Sequence, residues 1–127
     1  MENHSIGSLA RAAGIGVETV RFYQRKGLLD VPPRAGSIRR YGADHLDRLR
    51  FIRRAKEAGF TLGQIGELIA LDRSRDRARI LELASERVAA LDAEIAQKIK
   101  ARDRLADLSS ECGSGRAGPC PIIEAFL

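Results

Sequence analysis

Ser5-Ile-Gly-Ser-Leu-Ala-Arg-Ala-Ala-Gly14, followed three residues later by Val17-Glu-Thr-Val-Arg-Phe-Tyr-Gln-Arg-Lys-Gly27, is the stretch on which the fold turns. The first segment sets Ile6, Leu9, Ala10 and Ala13 on one face of a short helix, with Gly14 as its stop. The second gains bulk from Val20, Phe22 and Tyr23 before Lys26-Gly27 closes it. Two short helices joined by a tight, glycine-containing turn make a helix-turn-helix, whose second helix enters the major groove of a duplex.

Immediately downstream, Val31-Pro-Pro-Arg-Ala-Gly36 cannot continue a helix and leads into Ser37-Ile-Arg-Arg-Tyr41. A brief extended hairpin here makes a wing, and Arg39, Arg40 and Tyr41 bring cationic and phenolic groups suited to a sugar-phosphate backbone. A third helix is predicted from about Ala43 to Ala58, with Leu46, Leu49, Phe51, Ile52 and Ala55 as its core positions and Gly59 as its cap. Thr61-Leu-Gly-Gln64 has the spacing of a capping box, opening a fourth helix through Ile65, Leu68 and Ile69.

From about Arg75 to Ser109 neither Gly nor Pro occurs, and Ile80, Ala84, Val88, Leu91, Ile95, Ile99, Leu105 and Leu108 recur mostly at three- and four-residue steps. Such a stripe, on a helix roughly 50 Å long at 1.5 Å per residue, exceeds what so small a head can cover. It calls for a partner helix, most simply its own copy in a second subunit. The competing reading is a solvent-laced helix held by Arg/Glu pairs, since Arg102 interrupts the stripe.

The chain has 127 residues, enough for one folded module per subunit, and its 44% apolar content argues against disorder. No run of about 18 apolar residues occurs, and Met1 to Ser8 lacks a basic segment followed by an apolar one, so a soluble, cytoplasmic protein without membrane contact is expected. Charge is divided unevenly. Residues 1–60 hold 12 Lys/Arg against 6 Asp/Glu, whereas residues 61–127 hold 10 against 11. The excess of positive charge lies entirely in the half that carries the helix-turn-helix, as expected if that half meets a polyanion. No Ser/His/Asp constellation, phosphate-binding glycine loop or paired-carboxylate pocket stands out, so an enzyme is not expected.

Cys112 and Cys120, the two thiols of the chain, bracket three glycines and a proline, and Pro121 is placed to start one last turn through Ile122, Ile123 and Phe126. A disulfide is disfavoured in the cytoplasm, and a Gly/Pro-rich loop is a poor place to bury two unrelated thiols. A metal clip accounts for the pair better. Structural zinc wants four protein ligands and an iron-sulfur cluster wants more cysteines, while His4 and His45 lie in the DNA-binding half. What remains is a soft ion content with two thiolates: Cu(I), Ag(I), Au(I) or Hg(II). A thiol-redox response of the same cysteines, or an organic effector, stays open beside it.

Val20-Arg-Phe-Tyr-Gln-Arg-Lys-Gly-Leu-Leu29, followed by Arg39-Arg-Tyr41, resembles the signature of the MerR family of transcription regulators, and the resemblance spans nearly the whole chain. It implies an all-α dominated fold: a winged helix-turn-helix head with a small β wing (1–72), a long antiparallel coiled-coil dimerisation helix (73–109) and a C-terminal metal-binding loop with a terminal turn (110–127). It further implies a homodimer on a palindromic promoter operator, with effector binding kinking and underwinding the DNA so that RNA polymerase engages both promoter elements. By motif, Thr19, Arg21 and Tyr23 meet the DNA, and Arg39, Arg40 and Tyr41 clamp phosphates. Phe22 is assigned to the core. The head is similar to the mercuric-resistance branch, whereas Cys112-x7-Cys120-Pro-Ile-Ile is similar to the loop of CueR-like copper, silver and gold sensors. The mercury branch adds a third cysteine at the start of the partner's long helix, where Arg73-Ser-Arg-Asp-Arg-Ala-Arg79 has none.

Overall fold

The computed structural model describes residues 4–36, 38–113, 115 and 118–127, and the side chain of Ala35 is not among the described features. Among the described residues six helices and a two-stranded ribbon follow one another: α1 (Ile6–Ala13), α2 (Val17–Arg25), β1 (Arg34–Ala35), β2 (Ile38–Arg39), α3 (Ala43–Glu57), α4 (Leu62–Ser74), α5 (Arg77–Gly113) and α6 (Pro121–Ala125). Contacts divide the chain into two compact units, the first ending at Arg87 and the second beginning at Val88.

Local chemistry sets the helix ends of the first unit. The Ser5 hydroxyl accepts from the Ser8 amide at 3.1 Å, and Gly14, at φ 72°, takes the left-handed turn that ends α1. At the start of α4, Thr61 and Gln64 cap each other reciprocally, at 3.1 and 2.9 Å, as the spacing predicts. Replacing Thr61 with Ala leaves the Gln64 amide without its cap, and the expected result is a loss of about 1 kcal/mol in denaturant unfolding with the fold unchanged. An unaltered midpoint would show the cap to be energetically idle.

The core of the head joins Leu9 of α1, Val20 of α2, Ile52 of α3 and Ile65 of α4, all fully buried. Tyr23 is buried with them, and Phe22 packs only partly against the cluster. Helical geometry explains the order. Val20 and Tyr23 are one turn apart and share the inward face, while Phe22 is turned about 100° away from Tyr23, the angular step of one residue. Phe22 is therefore only partly in the core to which it was assigned, with the Lys26 ammonium 5.7 Å from its ring centroid.

β1 and β2 pair antiparallel with Arg34 opposite Arg39 and Ala35 opposite Ile38. Tyr41 lies beyond this ribbon and pairs instead with His4, through His4 N–H to Tyr41 O at 2.7 Å and Tyr41 N–H to His4 O at 2.8 Å. The wing expected to carry Tyr41 thus ends at Arg39, and Tyr41 is 2% exposed.

α5 differs from expectation at its far end. It runs 37 residues to Gly113, past the Ser109 stop read from the change in texture, so Cys112 sits in its last turn instead of in a loop. Ser109, Ser110 and Glu111 do not break a helix, and Gly113 is the first residue that does. At its near end Ile80, Leu83, Ala84 and Arg87, one face of the helix, are covered within the first unit, with Leu83 3% exposed. Arg79 ties this turn to α4 through Glu67 at 3.0 Å, and Arg87 donates to the Gly59 carbonyl at 3.2 Å. In the second unit Val88, Ile95, Ile99 and Leu105 are exposed, and Leu91, Ile95 and Ile99 line a groove of about 500 Å³ edged by Glu94, Lys98 and Arg102.

Candidate nucleic-acid interface and metal centre

Arg21 on α2, Arg39 on β2 and Tyr41 after it converge on one cleft of about 280 Å³, with Ser5, Ile6, Gln24, Arg34 and Ile38 completing its wall. Gln24 and Arg34 were not singled out from the sequence. Each carried a signal, since Gln24 follows Arg21 by one helical turn and Arg34 faces Arg39 across the ribbon. Gln24 Nε2 donates to the Tyr41 hydroxyl at 2.9 Å, which leaves that hydroxyl its own hydrogen to give outward. Arg39 Nε donates to the Pro32 carbonyl at 3.1 Å, so its guanidinium is aimed before any ligand arrives.

Arg21 is exposed and spans 3.2 Å to Glu18 one turn earlier, a contact that water already weakens and a phosphate can replace. Arg40 is exposed, and Thr19 is half-buried on α2. Tyr23 is 6% exposed and its ring belongs to the core, which leaves its hydroxyl as the part that could reach a phosphate. Further cations stand on α3, where Arg50, Arg53 and Arg54 line a second cleft with Ala12, Ala13 and Glu57.

Both histidines serve the head. His4 Nδ1 lies 2.8 Å from the Ser8 hydroxyl, and His45 Nδ1 accepts the Gly42 amide at 3.0 Å, with its ring edge-on to Tyr41.

In the second unit the sulfurs of Cys112 and Cys120 stand 3.3 Å apart. Cys112, on the last turn of α5, is exposed, and Cys120, immediately before Pro121 of α6, is partly so. The Ile123 amide, then the Cys112 thiol and the Ile122 amide, hydrogen-bond Cys120 sulfur and lower its pKa below the ordinary thiol value. The Cys112 pKa is raised, because its proton is held in the bond to Cys120 and a second negative charge beside the first is unfavourable. Of the two, Cys120 is therefore the thiol that gives up its proton more readily. Among the described residues no group of three His, Cys, Asp or Glu side chains gathers that could hold a metal ion, so the donor set is the sulfur pair. Two soft donors with no third fit a two-coordinate thiophilic ion and do not fit structural zinc. Ser74, the last residue of α4, gives its hydroxyl to the Leu71 carbonyl at 3.1 Å, and Arg77 is the first residue of α5.

A basic winged helix-turn-helix head, continued into a long helix with an unpaired apolar stripe, defines a DNA-binding regulator. The chain belongs to the MerR family: the MerR HTH family regulatory protein model matches residues 4–71 and the MerR, DNA binding model matches residues 46–108. The mercuric resistance operon regulatory protein of Pseudomonas fluorescens is 39% identical over 128 residues, covering 99% of this chain and 89% of its own length. The HTH-type transcriptional regulator CueR of Salmonella typhimurium is 33% identical over 123 residues, covering 94% and 89%. The crystal structure of the transcription regulator PbrR691 from Ralstonia metallidurans in complex with lead(II) superposes with a TM-score of 0.71 at 32% identity, covering 98% of this chain and 99% of that one. The family is one of transcription regulators, not enzymes, and its members bind promoter DNA as dimers. Among the described residues no helix is long and apolar enough to cross a membrane.

Proposed function

We infer that this chain is a metal-responsive transcription regulator that binds a palindromic promoter operator as a homodimer and activates transcription, with RNA polymerase at the promoter, by distorting the DNA when a soft thiophilic ion is bound. The observation that carries the reading is the 3.3 Å approach of two sulfurs without a third ligand among the described residues. Relatives named for mercuric resistance, or solved with lead(II), support the metal class, and the two-sulfur donor set selects Cu(I), Ag(I), Au(I) or Hg(II) within it.

Arg21, Arg39, Arg40 and Tyr41, with Thr19 and the hydroxyl of Tyr23, are the DNA-facing groups in this reading, and residues 1–72 form the DNA-binding domain. Residues 73–109 supply the antiparallel dimer seam, and 110–127 the sensor segment. When bound, the ion supplies a cross-link between two sulfurs. The chain's own part is to connect the last turn of α5 to the first residue of α6, so that Ile122, Ile123 and Phe126 pack against the paired helices and reset the spacing of the two heads. Bending or untwisting a site of this length costs a few kcal/mol, within reach of a ligand's differential binding.

In vitro transcription from a promoter that the purified protein is first shown to footprint, with purified polymerase and each ion in turn, tests the reading. Metal-dependent transcript without a large change in operator occupancy is the expected result, and transcript indifferent to every soft ion overturns it. Proton linkage supplies a second check. Binding displaces the proton of Cys112, whose pKa is raised, so the apparent Ag(I) affinity should climb with pH, by about tenfold per pH unit for each thiol still protonated, and Cys120, whose pKa is lowered, should drop out of the slope first. A flat profile by competition titration excludes Cys112 as a ligand.

A further inference from the structure

We propose that Cys112 and Cys120 are also a thiol-disulfide modification site, closed to an intramolecular disulfide by low-molecular-weight disulfides of the glutathione type, and that the oxidised chain is shut to soft metal ions. The proposal rests on the metal reading above and assigns regulation to the same two atoms. The sulfurs are 3.3 Å apart, whereas a disulfide bond is about 2.05 Å, so closure draws them together by little more than about 1 Å. Both are free thiols, one exposed and one partly so, and an incoming disulfide has access to them. No third cysteine exists in the chain to divert the exchange.

The electrons balance in two displacements. One thiolate of the pair attacks a sulfur of the small disulfide, forming a mixed disulfide and expelling one small thiolate. The second thiol loses its proton to solvent, and its sulfur attacks the protein sulfur of the mixed disulfide. The intramolecular bond forms as the second small thiolate leaves. The chain has then lost two electrons and two protons, and the small disulfide has gained the two electrons. Because the second sulfur is already in contact with the first, the second displacement outruns the accumulation of the mixed species. Neither sulfur then has a thiolate lone pair to give a metal ion, and an ion held between them conversely occupies the nucleophile, so metal uptake and oxidation exclude each other.

The full-length reduced protein is incubated anaerobically with glutathione disulfide, its intact mass is measured, and its Ag(I) uptake is followed against a competing chelator. The expected result is a loss of two hydrogens with no retained glutathione, silver uptake weakened at least about a hundredfold, and full recovery with dithiothreitol. Cys112→Ser and Cys120→Ser should each trap one glutathione adduct. Wild-type protein that retains one or two adducts, or oxidised protein that takes up silver as the reduced form does, overturns the proposal. Reduced protein that takes up no silver sinks the metal reading instead, and the disulfide is still decided by mass alone.

Discussion

Cys120→Ser should lower soft-metal affinity by more than about a hundredfold and return metal-dependent transcription to the level seen without metal. The size of the effect follows from the donor count. With two sulfurs and no third donor gathered among the described residues, removing one halves the coordination, a larger loss than the roughly 10- to 100-fold that follows loss of a group supporting a ligand. A serine hydroxyl at the same position is a hard oxygen that stays protonated at neutral pH, so it does not substitute for thiolate toward a soft ion. The Cys112→Ser change should match it. Operator affinity in the absence of metal should stay within about twofold of wild type, because the basic cleft belongs to the first unit and the sulfurs to the second. Ag(I) competition and footprinting on the same preparations separate the two quantities. Undiminished induction in both variants would defeat the assignment of the sulfur pair as the sensor.

Ile95→Asp should dissociate the dimer and with it most of the operator affinity. Ile95 is 55% exposed in the single chain and lines the apolar groove of α5 together with Leu91 and Ile99. In a twofold pair every substitution acts twice. Each copy loses an isoleucine's burial, on the order of 2–5 kcal/mol when the site is truncated, and gains a carboxylate that must be dehydrated or protonated. That sum is comparable with the whole stability of an ordinary small interface, so sedimentation should show monomer at micromolar concentration. A lone head holds one half-site, and loss of the linked second contact weakens binding by at least about a hundredfold. Ile95→Leu keeps volume and should keep both dimer and operator binding. Ile95→Asp protein that sediments as wild type would show that the stripe is not the seam.

How much of this was legible beforehand depends on how local the determining chemistry is. Helix ends at Ser5, Gly14 and Thr61 are set by groups within three or four residues, and they were readable from spacing. The charge split between residues 1–60 and 61–127 needed no fold at all. Tyr23 was read as DNA-facing from the motif that the chain shares with its family, and Tyr41 because a phenol beside arginines suits a phosphate. Their burial depends on a strand-like pairing with His4 and on the inward face of α2, both of which exist only once the head has closed. The end of α5 was placed four residues early because serines mark a change of texture without stopping a helix. Leu83 was missed for a different reason. It shares a face with Ile80 and Ala84, so the first turns of the stripe are covered by the head, and a stripe assigned whole to a partner helix hides the point where one neighbour gives way to the next.

The bond from Gln24 to the Tyr41 hydroxyl joins the recognition helix to the strand that leaves the ribbon. Together with the His4 pairing, it makes the head a calliper whose jaws are locked at one opening. With the cleft on DNA as proposed, a duplex would be measured as well as read: sequences whose grooves lie at the matching separation would be gripped without adjustment, and the rest would have to be deformed to fit. Gln24→Ala would loosen the jaws, and a protein so altered would tolerate operators of varied groove width while discriminating less among them.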